Sequence, residues 1–179
     1  MIIKSVIIAF LCILLLGNCN QGNRIIKNDS VIKAQSDIEN ADFSLLTHDR
    51  NTIVALNGDF QKLDSSQIIG DPILLFENSG DINYSIMKGK WKELDLQYIK
   101  FTGLITSIIC ESNLYTTPRG IGVGDSVSNI YKVYPKEKAY ISKNKVEYDL
   151  GNASVEAMMA LNFYNDGKRI TKIEIMEGN

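Results

Sequence analysis

The stretch Arg119-Gly120-Ile121-Gly122-Val123-Gly124-Asp125-Ser126, followed at once by Val127-Ser128-Asn129-Ile130-Tyr131-Lys132-Val133-Tyr134, decides how the chain is interpreted. Its glycines let the backbone turn tightly, and Asp125 or Ser126 can cap the free N–H groups of a new helix. Apolar residues then follow at helical spacing: Val127, Ile130, Tyr131 and Tyr134. The stretch therefore predicts that a strand ends here and a helix begins.

The same Gly-Asp signal occurs earlier in the chain, at Gly58-Asp59. Further along, Leu96-Gln97-Tyr98-Ile99 aligns with Leu161-Asn162-Phe163-Tyr164, and Cys110 aligns with Ile175. Turn and strand signals that recur in register indicate an internal repeat. We therefore predict an α+β fold with two tandem copies of a helix followed by an antiparallel β-meander, the sheet packing on the helices. The copies span residues 42–112 and 113–179, within one compact domain.

Short apolar runs separated by turn residues predict the individual strands. Those of the first copy are expected at residues 43–47, 52–56, 73–76, 84–87, 94–99 and 104–110. A helix is expected through Phe60, Leu63 and Ile68, ending at Gly70-Asp71-Pro72. In the second copy we expect a hairpin at residues 138–148 and a final strand with Ile173 and Ile175 inward. Residues 154–164 suit helix or strand, and the repeat favours strand.

The first residues have the pattern of a processing signal. Lys4 precedes an apolar run at residues 6–16, which is too short to span a bilayer as a helix. The run ends in Leu16-Gly17-Asn18-Cys19, which resembles the lipobox of bacterial lipoproteins, with Asn18 where Gly, Ala or Ser is usual. We predict a lipoprotein signal peptide over residues 1–18 and a lipidated Cys19 that begins a flexible tether over residues 19–41. A secretory signal without lipid and an uncleaved anchor are the alternatives.

Composition narrows the classes of partner. The chain has 179 residues, of which 45% are hydrophobic and 22% charged, and its formal net charge is −2. This composition is globular, and without a Lys/Arg block there is no electrostatic footprint for nucleic acid. If Cys12 leaves with the signal and Cys19 carries lipid, only Cys110 remains, so no internal disulfide can form. Cys110 lies in an alternating strand and is expected to be a buried apolar thiol.

No pattern in the sequence predicts a catalyst. His48 is the single histidine, and its polar neighbours indicate a solvated turn. The glycine run lacks the spacing of phosphate-binding loops, and its antiparallel surroundings do not fit one. The carboxylates are scattered without metal-loop or paired-acid spacing. We therefore predict no catalytic residues, no cofactor and no metal, and a chain that is not an enzyme.

Aromatic residues on the predicted strands are the best candidates for binding, because binding surfaces are rich in Tyr and Trp. Trp91 lies among hydrophilic neighbours and is expected to be an exposed anchor. Tyr84 and Tyr98 join it as candidate interaction residues. Arg119 is added because the first copy has no counterpart of it.

The Gly-Asp-Ser turn, the amphipathic helix and the strand pair around Asn165-Asp166-Gly167-Lys168 resemble small bacterial envelope domains of the SmpA/OmlA (BamE) and β-lactamase-inhibitor-protein-like group. The resemblance covers residues 52–179 and implies binding to other proteins rather than catalysis. We expect an envelope lipoprotein that faces outward from the cytoplasm, contacts the bilayer through the Cys19 lipid and binds an envelope protein. The alternative is a lipoprotein that binds a small ligand or cell-wall component.

Overall fold

The computed structural model describes residues 38–78, 84–150 and 158–178. The predicted signal peptide, Cys19 and the predicted tether up to residue 37 lie outside the described residues, so they remain predictions. Within the described residues no helix is long and apolar enough to cross a membrane.

The predicted fold class is wrong. Strands account for 55% of the structure and helices for only 15%. A single α-helix, α1 (Val127–Val133), occurs among the described residues. The described part of the chain is therefore mostly β, with two sheets, rather than two copies of a helix and a meander.

The described residues form eleven strands. In chain order these are β1 (Ser44–Thr47), β2 (Ile53–Ala55), β3 (Ile68–Asn78), β4 (Tyr84–Trp91), β5 (Leu94–Ile99), β6 (Ile105–Cys110), β7 (Tyr115–Thr116), β8 (Ala139–Ser142), β9 (Lys145–Leu150), β10 (Met158–Asn165) and β11 (Ile170–Gly178). The small sheet has three strands in the order β2-β1-β7. The large sheet has eight, in the order β3-β4-β5-β6-β11-β10-β9-β8, and all its neighbours are antiparallel.

Period-two alternation gives the large sheet one buried face. In β5, Leu94, Leu96 and Tyr98 are buried while the residues between them are partly exposed. Ile173 and Ile175 of β11 are fully buried, as predicted from their alternation. These side chains share one apolar core with the small sheet and with α1.

The two central hairpins of the large sheet have matching registers. Leu96 pairs with Ile108 across β5 and β6, and Phe163 pairs with Ile173 across β10 and β11. Each hairpin has an irregularity one residue further on, before Tyr98 and before Asn165. Phe163 rather than Leu161 therefore corresponds to Leu96, so the predicted alignment of these strands is wrong by two residues.

The glycine-rich turn leads into a helix, as predicted. Gly120 and Gly124 have φ values of 82° and 94°, a region that favours glycine. The Ser126 hydroxyl accepts a bond from the Ser128 N–H at 3.4 Å and so caps α1. Asp125 has another role, because its carboxylate accepts a bond from the Gly122 N–H at 2.8 Å and closes the turn itself.

The helix predicted after Gly58-Asp59 is absent, and two 3₁₀-helices, Phe60–Lys62 and Ser65–Gln67, take its place. Asp59 caps the first and Asp64 caps the second, so the backbone restarts before a full helical turn is complete. The sequence Gly70-Asp71-Pro72, predicted to end the helix, lies inside β3 at an irregularity in its pairing with β4.

Candidate functional site

Trp91 is not the exposed anchor that its hydrophilic neighbours led us to predict. Its side chain is only 2% exposed. The indole Nε1 donates to the backbone oxygen of Asp64 at 3.1 Å, and Ile68 lies opposite it across the β3–β4 pair. Lys92 covers the ring, with Nζ 4.6 Å from the centroid. Trp91 therefore holds the second 3₁₀-helix against the sheet.

Tyr98 and Tyr84 also differ in exposure. Tyr98 is buried, and its ring stacks on Phe60 with the centroids 4.0 Å apart. Gly89 makes room for this stack, since a Cβ there would approach Phe60 to 3.0 Å. Tyr84 is partly exposed and lies 5.7 Å from the Phe76 ring at the edge of the large sheet. Of the two tyrosines, only Tyr84 remains on an accessible surface.

Arg119 is a structural clamp. Its guanidinium donates to both carboxylate oxygens of Asp42, each at 2.7 Å, and to the backbone oxygen of Val133 at 2.9 Å. The side chains of Arg119 and Asp42 are 11% and 4% exposed. The guanidinium also lies over the Tyr134 ring at 4.8 Å. Arg119 therefore joins the 3₁₀-helix Asn40–Asp42 to the end of α1, and the four predicted interaction residues do not form one surface.

The two side chains best suited to nucleophilic or acid–base chemistry have structural partners. His48 Nε2 lies 2.6 Å from the backbone oxygen of Asn113. Cys110 is fully buried, as predicted, and its thiol donates to the backbone oxygen of Ser112 at 3.2 Å. Burial raises the pKa of Cys110 to about 11, so the thiol stays protonated at neutral pH.

The open face of the large sheet carries polar side chains that pair with one another. The Tyr164 hydroxyl donates to Glu174 at 2.6 Å, and Lys145 forms an ion pair with Glu147. Burial and the bond to Glu174 raise the pKa of Tyr164 to about 12. These groups bond to one another, whereas the Oδ1 atoms of Asn162 and Asp149 on the same face are buried without a hydrogen-bond partner among the described residues.

A groove opens between the 3₁₀-helices and the buried side of β3, β4 and β5. Its volume is about 450 Å³, and most of its lining is apolar. The lining includes Phe60, Leu63, Ile68, Met87 and Tyr98, with Lys100 as the cationic group. This arrangement can accept an apolar group that carries a negative charge.

The edge of the large sheet formed by β3 is the most apolar exposed surface among the described residues. β3 is an edge strand, so within the described parts of the chain one side of its backbone has no neighbouring strand. Its exposed apolar side chains are Ile69, Ile73, Leu74, Leu75 and Phe76, each between 49% and 64% exposed. No local pattern in the sequence indicates this surface, because an apolar strand is expected to be buried until its place in the sheet is known.

The opposite edge is β8, which is short and regular. Tyr140 and Ile141 are 68% and 55% exposed there. All four residues of β8 pair with β9 without interruption, so the other side of the strand faces away from the sheet. The large sheet thus has an exposed apolar strand at each edge.

The comparisons with known proteins assign no family to the chain. The resemblance to the SmpA/OmlA and β-lactamase-inhibitor-protein-like group therefore remains a prediction. No group of three or more His, Cys, Asp or Glu side chains suited to a metal ion occurs within residues 38–78, 84–150 and 158–178. No family model, curated protein or solved structure matches the chain.

Proposed function

We propose that this chain is a bacterial envelope lipoprotein, anchored by a lipid on Cys19, that acts as a non-catalytic protein-interaction module. We place its binding surface at the β3 edge. The observation that carries the proposal is the run of exposed apolar side chains on that edge, from Ile73 to Phe76.

An edge strand offers two kinds of contact at once. Its outward N–H and C=O groups can bond to an added strand, and its side chains can pack on that strand. Exposed apolar edges are normally short or covered, since they promote unwanted association. An edge of this length that carries five exposed large apolar side chains therefore supports a binding role.

The anchor is tested separately from the binding surface. Cells that produce the full chain are labelled with a traceable palmitate, in parallel with cells that produce Cys19→Ala. We expect label on the chain that retains Cys19 and none on the variant, because only Cys19 matches the lipidation pattern. A chain that takes up no label in either form contradicts the anchor.

Photo-cross-linking tests the binding surface. A photoreactive amino acid replaces Leu75 on β3 in one strain and Phe101 in another. Phe101 is a matched control because it is also apolar and is 68% exposed, but it lies in the turn after β5. We expect cross-linked protein adducts from position 75 and few from position 101. Equal adducts from both positions, or none from position 75, contradict the proposal.

Binding of a small ligand in the groove is the second candidate function, and the apolar lining with Lys100 is the observation that favours it. The fluorescent probe 1-anilinonaphthalene-8-sulfonate has an apolar body and one negative charge, so it suits this groove. We expect saturable fluorescence enhancement that Leu63→Glu abolishes, since the new carboxylate repels the sulfonate. Enhancement that Leu63→Glu leaves unchanged contradicts this candidate.

A further inference from the structure

We infer that the strand added to β3 is β8 of a second copy of this chain, so that copies associate head to tail through the two edges of the large sheet. This inference rests on the proposed function, because it uses the same β3 surface. It also gives a role to β8, which that proposal leaves unused.

Strand direction favours this pairing. The eight strands of the large sheet are all antiparallel to their neighbours, so the first and last strands, β3 and β8, run in opposite directions. When a second copy is placed beside the first in the same orientation, its β8 therefore meets β3 antiparallel. The antiparallel pattern of the sheet continues from one copy to the next. Copies tethered to one membrane surface can share an orientation in this way.

The two edges also have opposite charges at their ends. On β3, the exposed carboxylates of Asp71 and Glu77 flank the apolar residues 73–76. Lys138 and Lys143 flank β8, where residues 139–142 carry the exposed apolar side chains. Antiparallel pairing of the two apolar segments brings acid near base at both ends, and opposite charges across a strand pair are stabilising.

The same charges disfavour pairing between identical edges. When two β3 strands pair antiparallel, the end that carries Asp71 meets the end that carries Glu77. When two β8 strands do so, Lys138 approaches Lys143. Like charges that lie opposite each other across a strand pair are destabilising. Of the three edge combinations, the unlike pair is therefore preferred.

The contact is short. Pro72 has no N–H to donate, and the pairing of β3 with β4 is irregular between Ile69 and Ile73 and again between Leu74 and Phe76, so an added strand meets only short stretches of regular edge. A contact of one short strand pair buries far less than the roughly 1,200 Å² of a stable complex. We expect weak association in detergent and stronger association on a membrane, where the tether raises the local concentration. Each head-to-tail pair also leaves one β3 edge and one β8 edge open, so another copy can add at either end.

Cross-linking between two cysteine variants tests which edges meet. Aligning residues 73–76 with residues 139–142 places Leu75 opposite Tyr140. Full-length Leu75→Cys and Tyr140→Cys are reconstituted in vesicles, separately and mixed, and treated with a short bismaleimide. We expect dimers in the mixture and few from either variant alone. The chain without an introduced cysteine and a mixture of Leu75→Cys with Phe101→Cys serve as controls. Cys110 is buried and should not react.

Charge reversal gives an independent measurement. We expect Asp71→Lys with Glu77→Lys, introduced into the Leu75→Cys chain, to lower the dimer yield about fivefold to tenfold, since two favourable pairs become repulsive. Lys138→Glu with Lys143→Glu in the Tyr140→Cys chain should restore the yield. A reduced yield that the second pair of changes does not restore overturns the inference.

The remaining outcomes separate this inference from the proposed function. Dimers from Leu75→Cys alone indicate β3–β3 pairing and overturn the head-to-tail arrangement. Photo-cross-links from position 75 to a different protein, with no dimer in the mixture, overturn the inference and leave the proposed binding surface intact. Absence of adducts in both experiments overturns both.

Discussion

The two halves of the large sheet have matching central hairpins but different covers. Over β8–β11, α1 brings the Tyr134 ring within 5.2 Å of Tyr148 and 5.6 Å of Phe163. Over β3–β6, two 3₁₀-helices bring a single ring, that of Phe60, onto Tyr98. The first cover closes a dense aromatic cluster, whereas the second leaves a groove of about 450 Å³.

The difference shows that the cover, rather than the strand pattern, decides what each half can do. The seven-residue helix α1 buries Ile130 and packs the partly buried Val127, Tyr131 and Val133 against the core. A 3₁₀-helix of three residues points in only one, here Phe60. Matching strands therefore support a closed core in one half and an open, apolar margin in the other.

Truncation of one ring in each half gives the largest expected contrast. Phe163 is fully buried, so Phe163→Ala should lower the free energy of unfolding by about 4 kcal/mol. Phe60 borders the groove, so Phe60→Ala leaves a site that solvent already reaches and should cost about 2 kcal/mol. Urea denaturation followed by circular dichroism measures both. Equal losses would show that the covers contribute alike.

Removal of the Arg119 clamp should have the next largest effect. Arg119→Ala leaves the buried Asp42 carboxylate without its cation, which should cost about 3 kcal/mol. The ion pair of Lys88 with Asp95, at 3.4 Å, is a matched control in the other half because both side chains are more than a third exposed. Lys88→Ala should change stability by less than about 0.5 kcal/mol. A small loss for Arg119→Ala would contradict the clamp.

Removal of the caps should have smaller effects. The Asp59 carboxylate accepts from the Gln61 N–H at 2.9 Å, whereas the Ser126 hydroxyl accepts from the Ser128 N–H at 3.4 Å. We expect Asp59→Ala to lower the free energy of unfolding by about 1 kcal/mol and Ser126→Ala by about 0.5 kcal/mol. The same denaturation curves measure this, and the opposite ranking would mean that α1 depends on its cap more than the shorter helix does.

The two halves of the large sheet meet where β6 pairs with β11. The stability of this contact should fall at alkaline pH and change little near neutrality. Cys110 pairs with Ile173 there, and burial raises its pKa from 9.0 to about 11. The folded state therefore holds this proton more tightly than the unfolded state does. The stability that results is complete below about pH 9 and is lost as the pH rises towards 11.

The rate at which a disulfide reagent modifies Cys110 tests this expectation. At pH 8 a disulfide reagent should modify Cys110 slowly in the folded chain and rapidly in urea, because the thiolate is the reactive form. An exposed cysteine in the variant Leu75→Cys provides the fast reference. If Cys110 reacts at the reference rate in the folded chain, the contact between β6 and β11 is open to solvent and the expectation is wrong.

Local patterns in the sequence predicted much of the strand structure. The strand at residues 94–99, the alternation in β11, the hairpin of β8 with β9 and the buried Cys110 were predicted and agree with the structure. The glycine-rich turn and the start of α1 were also predictable, because glycine, cap and apolar spacing lie within a few residues of one another. Such features depend on neighbours in the chain.

Features that depend on distant partners were not predictable from these patterns. The lysines next to Trp91 in the sequence suggest an exposed side chain, but its burial depends on Asp64, which is 27 residues away. Arg119 looks like a candidate for binding until Asp42, 77 residues away, is seen beside it. The β7 strand was missed because its two residues are defined only by their pairing with β1. The candidate edge at β3 depends on strand order, which no local pattern specifies.

The ion pair between Asp42 and Arg119 has a mechanical consequence. A load applied to the chain ahead of residue 38 enters the described region through the 3₁₀-helix Asn40–Asp42, directly before β1. β1 is held on both sides, by β2 and β7, while Asp42 is fastened to the end of α1. The pair therefore transfers part of that load to the end of α1, and we expect it to break before β1 begins to detach.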